Sequence, residues 1–478
     1  MIPYLLPSLR LSVVFVLLAL AAAACVKVGT LRGGEQEPAT TASLPSSKPQ
    51  VSLCLSSVGG SKGHRVRAVL DAVDLSDGGQ WISLLKQPLT ITSGQAEAGV
   101  LLDRVQVPEG QYQRIRYQIS QAIADQDGRE ITLQPPSQPV EYPLVKPLSL
   151  SSGDSVSLFL SWDIAASLSQ APKFAVTFSA SAQRIPLTTE LAFVSCPEIN
   201  TVYLIRTDQN RICGSWGIPG RPTSMHADKA TNTLYVLAAD QSAIVAIELS
   251  SGKIRDRIRM PIVARPSFMT IDPEGRNAYL VEQATGMAYR VDLGSGSLAA
   301  QVRVGERLDY CEFLNESATL AVASSQGQKV VLLDPTTLRI RQSVAVGNAP
   351  QGVAEYGGAL YVAENRANTV GLYHLGSGMS LRQQVGQGPS RILVHERTLF
   401  VANSLGGSIT ILRPEQLTVV KVVAIGGSPG EMAVSAARNW LYVADATGNG
   451  VTVIDLSSQR RVEGIDLKAR PFDIEVIQ

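Results

Sequence analysis

Four arginines stand at equivalent places in a repeated part of the sequence. Each precedes the proline, or in one case the leucine, that begins a recurring strand, and the four are Arg221, Arg265, Arg307 and Arg470. A guanidinium can bind a carboxylate or phosphate through two parallel hydrogen bonds. This set therefore predicts a binding site for an anionic ligand, a glycan or a protein segment. The alternative is that each arginine pairs with an acid of a neighbouring repeat, such as Glu312, Asp473 or Glu475.

Polar residues also recur at the second and fourth positions after the same proline. They are His226, Tyr310, Glu312, Arg391, Glu431, Asp473 and Glu475. The positions between them are mostly apolar, and successive side chains of a strand point to opposite faces. We therefore expect these residues to line a central channel. His226, Glu312 and Arg391 are the candidate acid/base and anchoring groups if the channel is catalytic.

Other signatures of chemistry are weak. The four histidines fall in different elements, in no Cys-x-x-Cys-His or His-x-x-x-His spacing, and there is no Gly-x-Ser-x-Gly elbow or phosphate-binding loop. We assign no catalytic residue, no metal ligand and no cofactor. The segment Asp125-Gln-Asp127-Gly128 resembles the start of a calcium loop, but Asp-Gly between two strands is also an ordinary hairpin turn, which we favour.

The elements that must position these residues form an internal repeat. A short apolar unit such as Leu360-Tyr-Val-Ala recurs every 39 to 44 residues. The units begin at Leu191, Leu234, Ala278, Leu320, Leu360, Leu399 and Leu441. Each is followed by a turn, a second apolar strand, a more polar strand and a Gly/Pro loop into a fourth strand. Four strands per repeat predict a seven-bladed β-propeller over residues 186–478.

The phase of the repeat predicts how the ring closes. The first unit begins at the second strand of a blade, whereas Arg470-Pro-Phe-Asp-Ile-Glu-Val-Ile-Gln478 matches an innermost strand. We expect this C-terminal strand to pair with the strand at Leu191 and close the propeller, which removes the open sheet edges.

These repeats resemble a known family. Leu360-Tyr-Val-Ala-Glu-Asn, Leu399-Phe-Val-Ala-Asn and Val451-Thr-Val-Ile-Asp, with their Gly-x-x-Pro loops, are similar to the YVTN family of β-propeller repeats. The resemblance covers residues 191–478 and implies the fold. It implies no chemistry, since that family consists mostly of surface or exported proteins of unassigned role.

Residues 50–185 have a different pattern, with alternating strands and no repeat. This texture predicts an all-β domain of the β-sandwich type. The segments beginning at Trp81, Val107 and Phe159 resemble an uncharacterised β-sandwich family of bacterial lipoproteins over about residues 75–180. The resemblance implies fold and export only.

The N-terminus predicts the compartment. Residues 1–24 have a basic start, a short apolar core and small residues before Cys25, which resembles a lipoprotein signal peptide with Cys25 as the acylated residue. An ordinary secretory peptide cut near Ala24 is the alternative. Residues 25–49 predict a flexible tether. Val26 after the cysteine resembles lipoproteins sent to the outer membrane, so we expect the periplasmic or surface-facing side of that membrane.

The composition excludes one class of partner. The chain has 42 basic and 41 acidic residues and no run of lysine or arginine, which argues against nucleic acid. Besides Cys25 there are four cysteines, and the closest pair, Cys196 and Cys213, is predicted on strands separated by a third. We therefore expect no structural disulfide.

Together these features predict a lipid-anchored, non-catalytic binding platform. Its partner would be a protein, glycan or anionic ligand at the propeller face, with the membrane contacted through the lipid. The alternatives are a lactonase-like hydrolase acting in the central channel and a purely structural envelope protein.

Overall fold

A computed structural model describes residues 48–58, 65–126, 128–169, 171–174, 176–182 and 190–477. All of them belong to one compact unit, Ser46–Gln478. The predicted signal peptide, Cys25 and nearly all of the predicted tether lie outside the described residues. Among the residues described, no helix has the length and apolar character needed to span a bilayer.

The N-terminal part contains ten strands and two short helices. They are β1 Gln50–Ser57, β2 Arg65–Ser76, β3 Trp81–Ser83, β4 Leu89–Thr92, α1 Ser93–Ala98, β5 Val100–Gln106, β6 Gly110–Gln126, β7 Arg129–Leu133, β8 Val140–Leu150, β9 Ser155–Asp163, α2 Ile164–Leu168 and β10 Thr177–Ala182. One sheet has the order β10-β9-β1-β5, and the other is built around the long antiparallel pair β2 and β6. Both sheets contribute to one hydrophobic core that includes the fully buried Trp162.

Strands β1 and β9 are buried on both faces. The alternate residues Val51, Leu53 and Leu55 of β1 lie in the N-terminal core, whereas Cys54 packs with Phe159 of β9 into a cluster that continues beyond residue 190. Polar contacts accompany this second interface, and the Ser52 and Tyr203 hydroxyls lie 3.1 Å apart. Alternate residues of these strands therefore face two different hydrophobic cores.

Residues 190–477 form seven four-stranded antiparallel sheets, numbered here in chain order. Sheet 1 consists of Asp473–Ile477, Leu191–Cys196, Thr201–Arg206 and Arg211–Gly217. Sheet 2 consists of Pro222–Asp228, Thr233–Ala238, Ala243–Glu248 and Lys253–Arg259. Sheet 3 consists of Phe268–Ile271, Asn277–Glu282, Met287–Asp292 and Ser297–Arg303. Sheet 4 consists of Leu308–Leu314, Thr319–Ser324, Lys329–Leu333 and Ile340–Ala345.

Sheets 5 to 7 repeat the same order. Sheet 5 consists of Pro350–Tyr356, Ala359–Glu364, Thr369–His374 and Ser380–Gln384. Sheet 6 consists of Pro389–His395, Thr398–Asn403, Ser408–Arg413 and Thr418–Ala424. Sheet 7 consists of Pro429–Ser435, Trp440–Asp445, Gly450–Asp455 and Arg460–Asp466. Single turns of 3-10 helix occupy Pro197–Ile199, Ala239–Gln241 and Asn365–Ala367. The second strand of each sheet is almost wholly buried, which explains why its sequence is apolar on both faces.

The first strand of each sheet, called the inner strand below, contacts the inner strands of the neighbouring sheets. These contacts run in order from sheet 1 to sheet 7, and the inner strand of sheet 7 contacts that of sheet 1. Most fourth strands are largely exposed, with strict alternation in Ser297–Arg303, whereas Arg211–Gly217 of sheet 1 has no exposed residue. The arrangement is an all-β, propeller-like fold.

Sheet 1 is assembled from two distant parts of the chain. Its inner strand Asp473–Ile477 is antiparallel to Leu191–Cys196, with Leu191 opposite Ile477 and Ser195 opposite Asp473. The backbone N–H of Phe472 donates to the Ser195 carbonyl at 2.8 Å, and that of Asp473 donates to the Ser195 hydroxyl at 3.1 Å.

The β6–β7 connection and the cysteines were also subjects of prediction. Gln126 pairs with Arg129, and the Gly128 N–H donates to an Asp125 carboxylate oxygen at 2.9 Å, so β6 and β7 form a hairpin. Cys54, Cys196, Cys213 and Cys311 are buried and free, and Cys196 and Cys213 lie on strands separated by a third.

Removal of residues 471–478 should destabilise the protein more than the loss of one exposed strand would. It uncovers the fully buried strand Leu191–Cys196 and opens an edge of sheet 1. We expect the melting temperature to fall by about 5–10 °C. Thermal unfolding followed by circular dichroism measures this, with a chain lacking only Gln478 as the control. Equal melting temperatures for the two truncated chains would show that the pairing is dispensable.

Candidate functional site

The inner strands enclose a cavity of ≈ 410 Å³. All seven polar residues predicted for the channel line it, together with aromatic and apolar side chains. The lining includes His226, Phe268, Tyr310, Glu312, Phe313, Arg391, Glu431, Asp473 and Glu475. The four arginines that precede the inner strands are not part of this lining. The structure therefore separates the two sets of candidate residues.

Arg391 is held at the wall of the cavity by charge and by aromatic contact. Its Nε forms an ion pair with Glu431, and both side chains are largely buried, with 17% and 13% of their surface exposed. Its Nη1 donates to the Ser390 carbonyl at 2.8 Å. The guanidinium carbon lies 4.8 Å from the ring centre of Tyr310 and 5.3 Å from that of Phe268. Arg391 thus acts as a fixed internal cation.

A glycine allows the strand that carries Arg391 to approach its neighbour closely. Gly352 occupies the second position after Pro350, where the other sheets have residues such as Tyr310 and Arg391. A Cβ at this position would lie 2.7 Å from the Ser390 carbonyl oxygen and 2.8 Å from the Arg391 Cα. Any side chain here would therefore push the inner strands of sheets 5 and 6 apart.

Glu312 and Tyr310 form a hydrogen-bonded pair in the cavity. The Tyr310 hydroxyl donates to a Glu312 carboxylate oxygen at 2.8 Å. Burial raises the pKa of Glu312 to about 7, with a smaller increase from the charge of Glu431, while the bond from Tyr310 and the charge of Arg391 oppose this change. Burial also raises the pKa of Tyr310 well above its ordinary value.

Asp473 and Glu475 differ in their partners. Asp473 accepts the backbone N–H of Met225 at 2.6 Å and that of Ile474 at 2.7 Å. Burial and the charge of Glu431 nevertheless raise the pKa of Asp473 to about 8. Glu475 has no such donors among the described residues, and burial together with the charges of Asp473 and Glu312 raises the pKa of its carboxyl well above its ordinary value.

The three candidate residues of a hydrolase lie in one cavity without direct contact. Glu312 bonds to Tyr310 and Arg391 pairs with Glu431, and no hydrogen bond in the described part of the chain joins His226 to either. Burial lowers the pKa of His226. Among the residues described, no group of three His, Cys, Asp or Glu side chains has an arrangement that could hold a metal ion.

The four arginines before the inner strands, called the rim arginines below, are exposed and paired with acids, of which Asp240 and Glu198 are exposed and Asp309 is largely buried. Arg221 and Arg265 approach Asp240 at 3.8 and 3.2 Å, Arg307 approaches Asp309 at 3.5 Å, and Arg470 approaches Glu198 at 3.4 Å. Their side chains are 49–66% exposed. They do pair with acids, but not with Glu312, Asp473 or Glu475, because those side chains point into the cavity.

Sequence reasoning missed the buried residues that hold the loops in front of the inner strands. Glu282, Glu364 and Asp445 end the second strands of their sheets and accept backbone N–H groups from these loops, at 2.9 Å from Arg265, 2.7 Å from Gly347 and 2.8 Å from Ser428. Glu282 thereby fixes the backbone of a rim arginine. In the sequence these three residues could have been recognised, because each is an acidic residue directly after the repeated apolar unit.

Comparison with known proteins is informative for the fold alone. No family model matches the chain, and no curated protein matches it. A crystal structure of a functionally unknown protein from Desulfotomaculum acetoxidans is similar, with a TM-score of 0.54 and 13% identity over 61% of this chain and 99% of that one. The dihydro-heme d1 dehydrogenase NirN in complex with DHE has a TM-score of 0.49 and 13% identity over 60% of this chain and 66% of that one.

The raised carboxyl pKa values predict that stability falls as pH rises. A carboxyl that is protonated in the folded state but ionised in the unfolded state favours folding at low pH, and this contribution is lost between the two pKa values. For Asp473 that window extends from about pH 4 to about pH 8. The free energy of unfolding should therefore decrease from pH 5 to pH 8. In Glu475→Gln the decrease should be smaller, because the amide does not titrate.

Urea unfolding of both proteins at pH 5 and pH 8 measures this difference. Glu198→Gln, which alters an exposed acid, is the matched control and should keep the pH dependence of the native protein. An identical dependence in Glu475→Gln would contradict a buried, proton-binding carboxyl at this position.

Proposed function

We propose that this protein is an exported, lipid-anchored binding platform in the envelope. In this proposal residues 186–478 are a seven-bladed β-propeller closed by the C-terminal strand, and residues 50–185 are a β-sandwich. The seven sheets, the cyclic contacts between inner strands and the shared core of the two N-terminal sheets support this architecture. The YVTN-type repeats and the likeness to lipoprotein β-sandwiches are sequence arguments in its favour.

The anchor and the location also belong to the proposal. They rest on the signal-like residues 1–24, on Cys25 and on the polar segment 25–49. Val26 favours the outer membrane. A tether of this length would let the folded part work about 25–30 Å from the bilayer.

The observation that carries the binding function is the exposure of the rim arginines. Four guanidinium groups lie at one end of the inner strands, with half or more of each side chain accessible in most cases. The pairs with Asp240 and Glu198 are surface ion pairs, which contribute about 0–1 kcal/mol each, whereas Asp309 is largely buried. A ligand carboxylate or phosphate that binds a guanidinium through two hydrogen bonds can displace such a partner. The rim therefore suits an anionic ligand, glycan or acidic protein segment.

A capture experiment tests this function. Soluble protein lacking residues 1–25 is immobilised, and the envelope components that it retains are identified by mass spectrometry. In the test variant Arg221, Arg265, Arg307 and Arg470 are changed to alanine, and we expect it to retain at least tenfold less of the specific partner. Higher salt should weaken native capture as well, because these charges are exposed.

A matched control variant carries four other alanine substitutions. Arg67, Arg114, Arg341 and Arg397 are also arginines with 45–80% exposed side chains in surface ion pairs, but they lie elsewhere. The control should capture the partner as the native protein does. Equal loss in both variants would indicate a nonspecific charge effect, and no loss in the rim variant would exclude the rim as the binding site.

The cavity supports a second candidate function, the lactonase-like hydrolase. Its specific support is the pKa of Glu312 near 7, which suits a general acid or base at neutral pH. The test is hydrolysis of a panel of lactones and aryl esters by the native protein and by Glu312→Gln. A hydrolase of this kind would lose at least about 100-fold in rate in the variant. Equal rates, or no hydrolysis by the native protein, would rule this mechanism out.

A further inference from the structure

The charges that line the cavity are unbalanced. Four carboxyl groups face one guanidinium and one imidazole, and Arg391 is already committed to Glu431. Glu312, Asp473 and Glu475 form no ion pair with any described residue. The cavity therefore has the opposite electrostatic character to the rim, where the arginines dominate.

Glu475 is the carboxyl whose partner is missing. Glu312 accepts the Tyr310 hydroxyl, and Asp473 accepts two backbone N–H groups. Among the described residues, Glu475 has neither a hydrogen-bond donor nor an ion-pair partner. It is half-buried, and it belongs to the lining of the cavity. A carboxyl in this environment holds a proton unless a cation compensates its charge, so an organic cation at this point would favour the ionised form.

Aromatic side chains of the cavity lining already contact a delocalised cation. The Arg391 guanidinium lies over Phe268 and Tyr310, whose ring centres are 4.5 Å apart. The face of an aromatic ring has a negative electrostatic potential, which attracts organic cations. Since the described acids lack metal-binding geometry, the lining favours an organic cation over a metal ion. The volume of ≈ 410 Å³ lies within the range of about 300–1,000 Å³ that small ligands occupy.

The lining of the cavity is also distinct from the rim. Its lining includes Pro273 and Asn315, which follow the inner strands of sheets 3 and 4, whereas the rim arginines precede the inner strands. None of the rim arginines lines the cavity, although Arg391, Glu431 and Asp473 lie only three residues after the position that the rim arginines occupy in their repeats. A ligand in the cavity therefore need not compete with a partner on the rim.

We propose that this cavity is a binding site for a small organic cation of the amine or guanidine class, with Glu475 as the principal counter-charge and Glu312 and Asp473 beside it. The site is separate from the rim and does not depend on the function proposed for the rim arginines. Its ligand would lie between the carboxyl groups and the aromatic wall.

Isothermal titration calorimetry of the full chain in a mild non-ionic detergent tests the proposal. The probes are agmatine and putrescine, with 1,4-butanediol as the uncharged analogue of putrescine and succinate as the anion. We expect saturable binding of at least one cation and none of the diol or the dianion. Glu475→Gln should weaken cation binding at least tenfold, and Glu312→Gln should weaken it to a smaller extent. Glu198→Gln, at an exposed rim acid, should change it less than twofold.

Several outcomes would overturn the proposal: neither cation binds, the diol binds as tightly as putrescine, or Glu475→Gln binds like the native protein. Thermal melting checks that each variant is folded. If Glu475→Gln does not fold, weaker cation binding by Glu312→Gln is the test. The variant lacking the rim arginines should retain cation binding, and Glu475→Gln should retain partner capture. Failure at one site is therefore distinguishable from failure at the other.

Discussion

The pairing of Asp473–Ile477 with Leu191–Cys196 is the constraint on which the rest of the structure depends. It supplies the inner strand of sheet 1 and brings Asp473 and Glu475 into the cavity. Asp473 then joins sheets 1 and 2, since its backbone N–H donates to Ser195 and its carboxylate accepts the N–H of Met225. The geometry of the cavity and the continuity of the ring therefore follow from the same few hydrogen bonds.

The near-zero net charge of the chain conceals a separation of charge along the inner strands. Basic groups lie exposed before these strands, and acidic groups lie enclosed farther along them. The difference in solvent access gives the two sets different properties, because water screens the rim arginines, whereas burial strengthens the interactions among the carboxyl groups. In the proposed function the exposed rim binds an anionic ligand, glycan or protein segment. The cavity is suited to a small ligand that replaces water and protons.

Much of the repeated part could be predicted from the sequence, because each sheet repeats the same burial pattern. The apolar second strands are covered on both faces, and the alternation after the proline distinguishes the cavity face from the packed face, which is why His226 and Glu475 could be singled out together. The partners of the rim arginines could not be predicted. Asp240 and Glu198 belong to 3-10 turns that only some of the repeats contain, so alignment of the repeats does not reveal them. The missing side chain at Gly352 likewise has meaning only beside the strand of Arg391.

The joining of the two ends of sheet 1 also determines when the molecule can become complete. The hydrogen bonds of Asp473 to Ser195 of sheet 1 and to Met225 of sheet 2 link residues 278 and 248 positions apart, so they cannot form until Asp473–Ile477 has been synthesised. During that interval the strand Leu191–Cys196 has an unpaired edge, while the N-terminal sheet can already cover the other side of sheet 1 through the contact between Ser157 and Ser215. Contacts of such long range slow folding, and open strand edges promote aggregation. Correct folding therefore requires that Asp473–Ile477 pair with Leu191–Cys196 before a strand of another molecule pairs with the same edge.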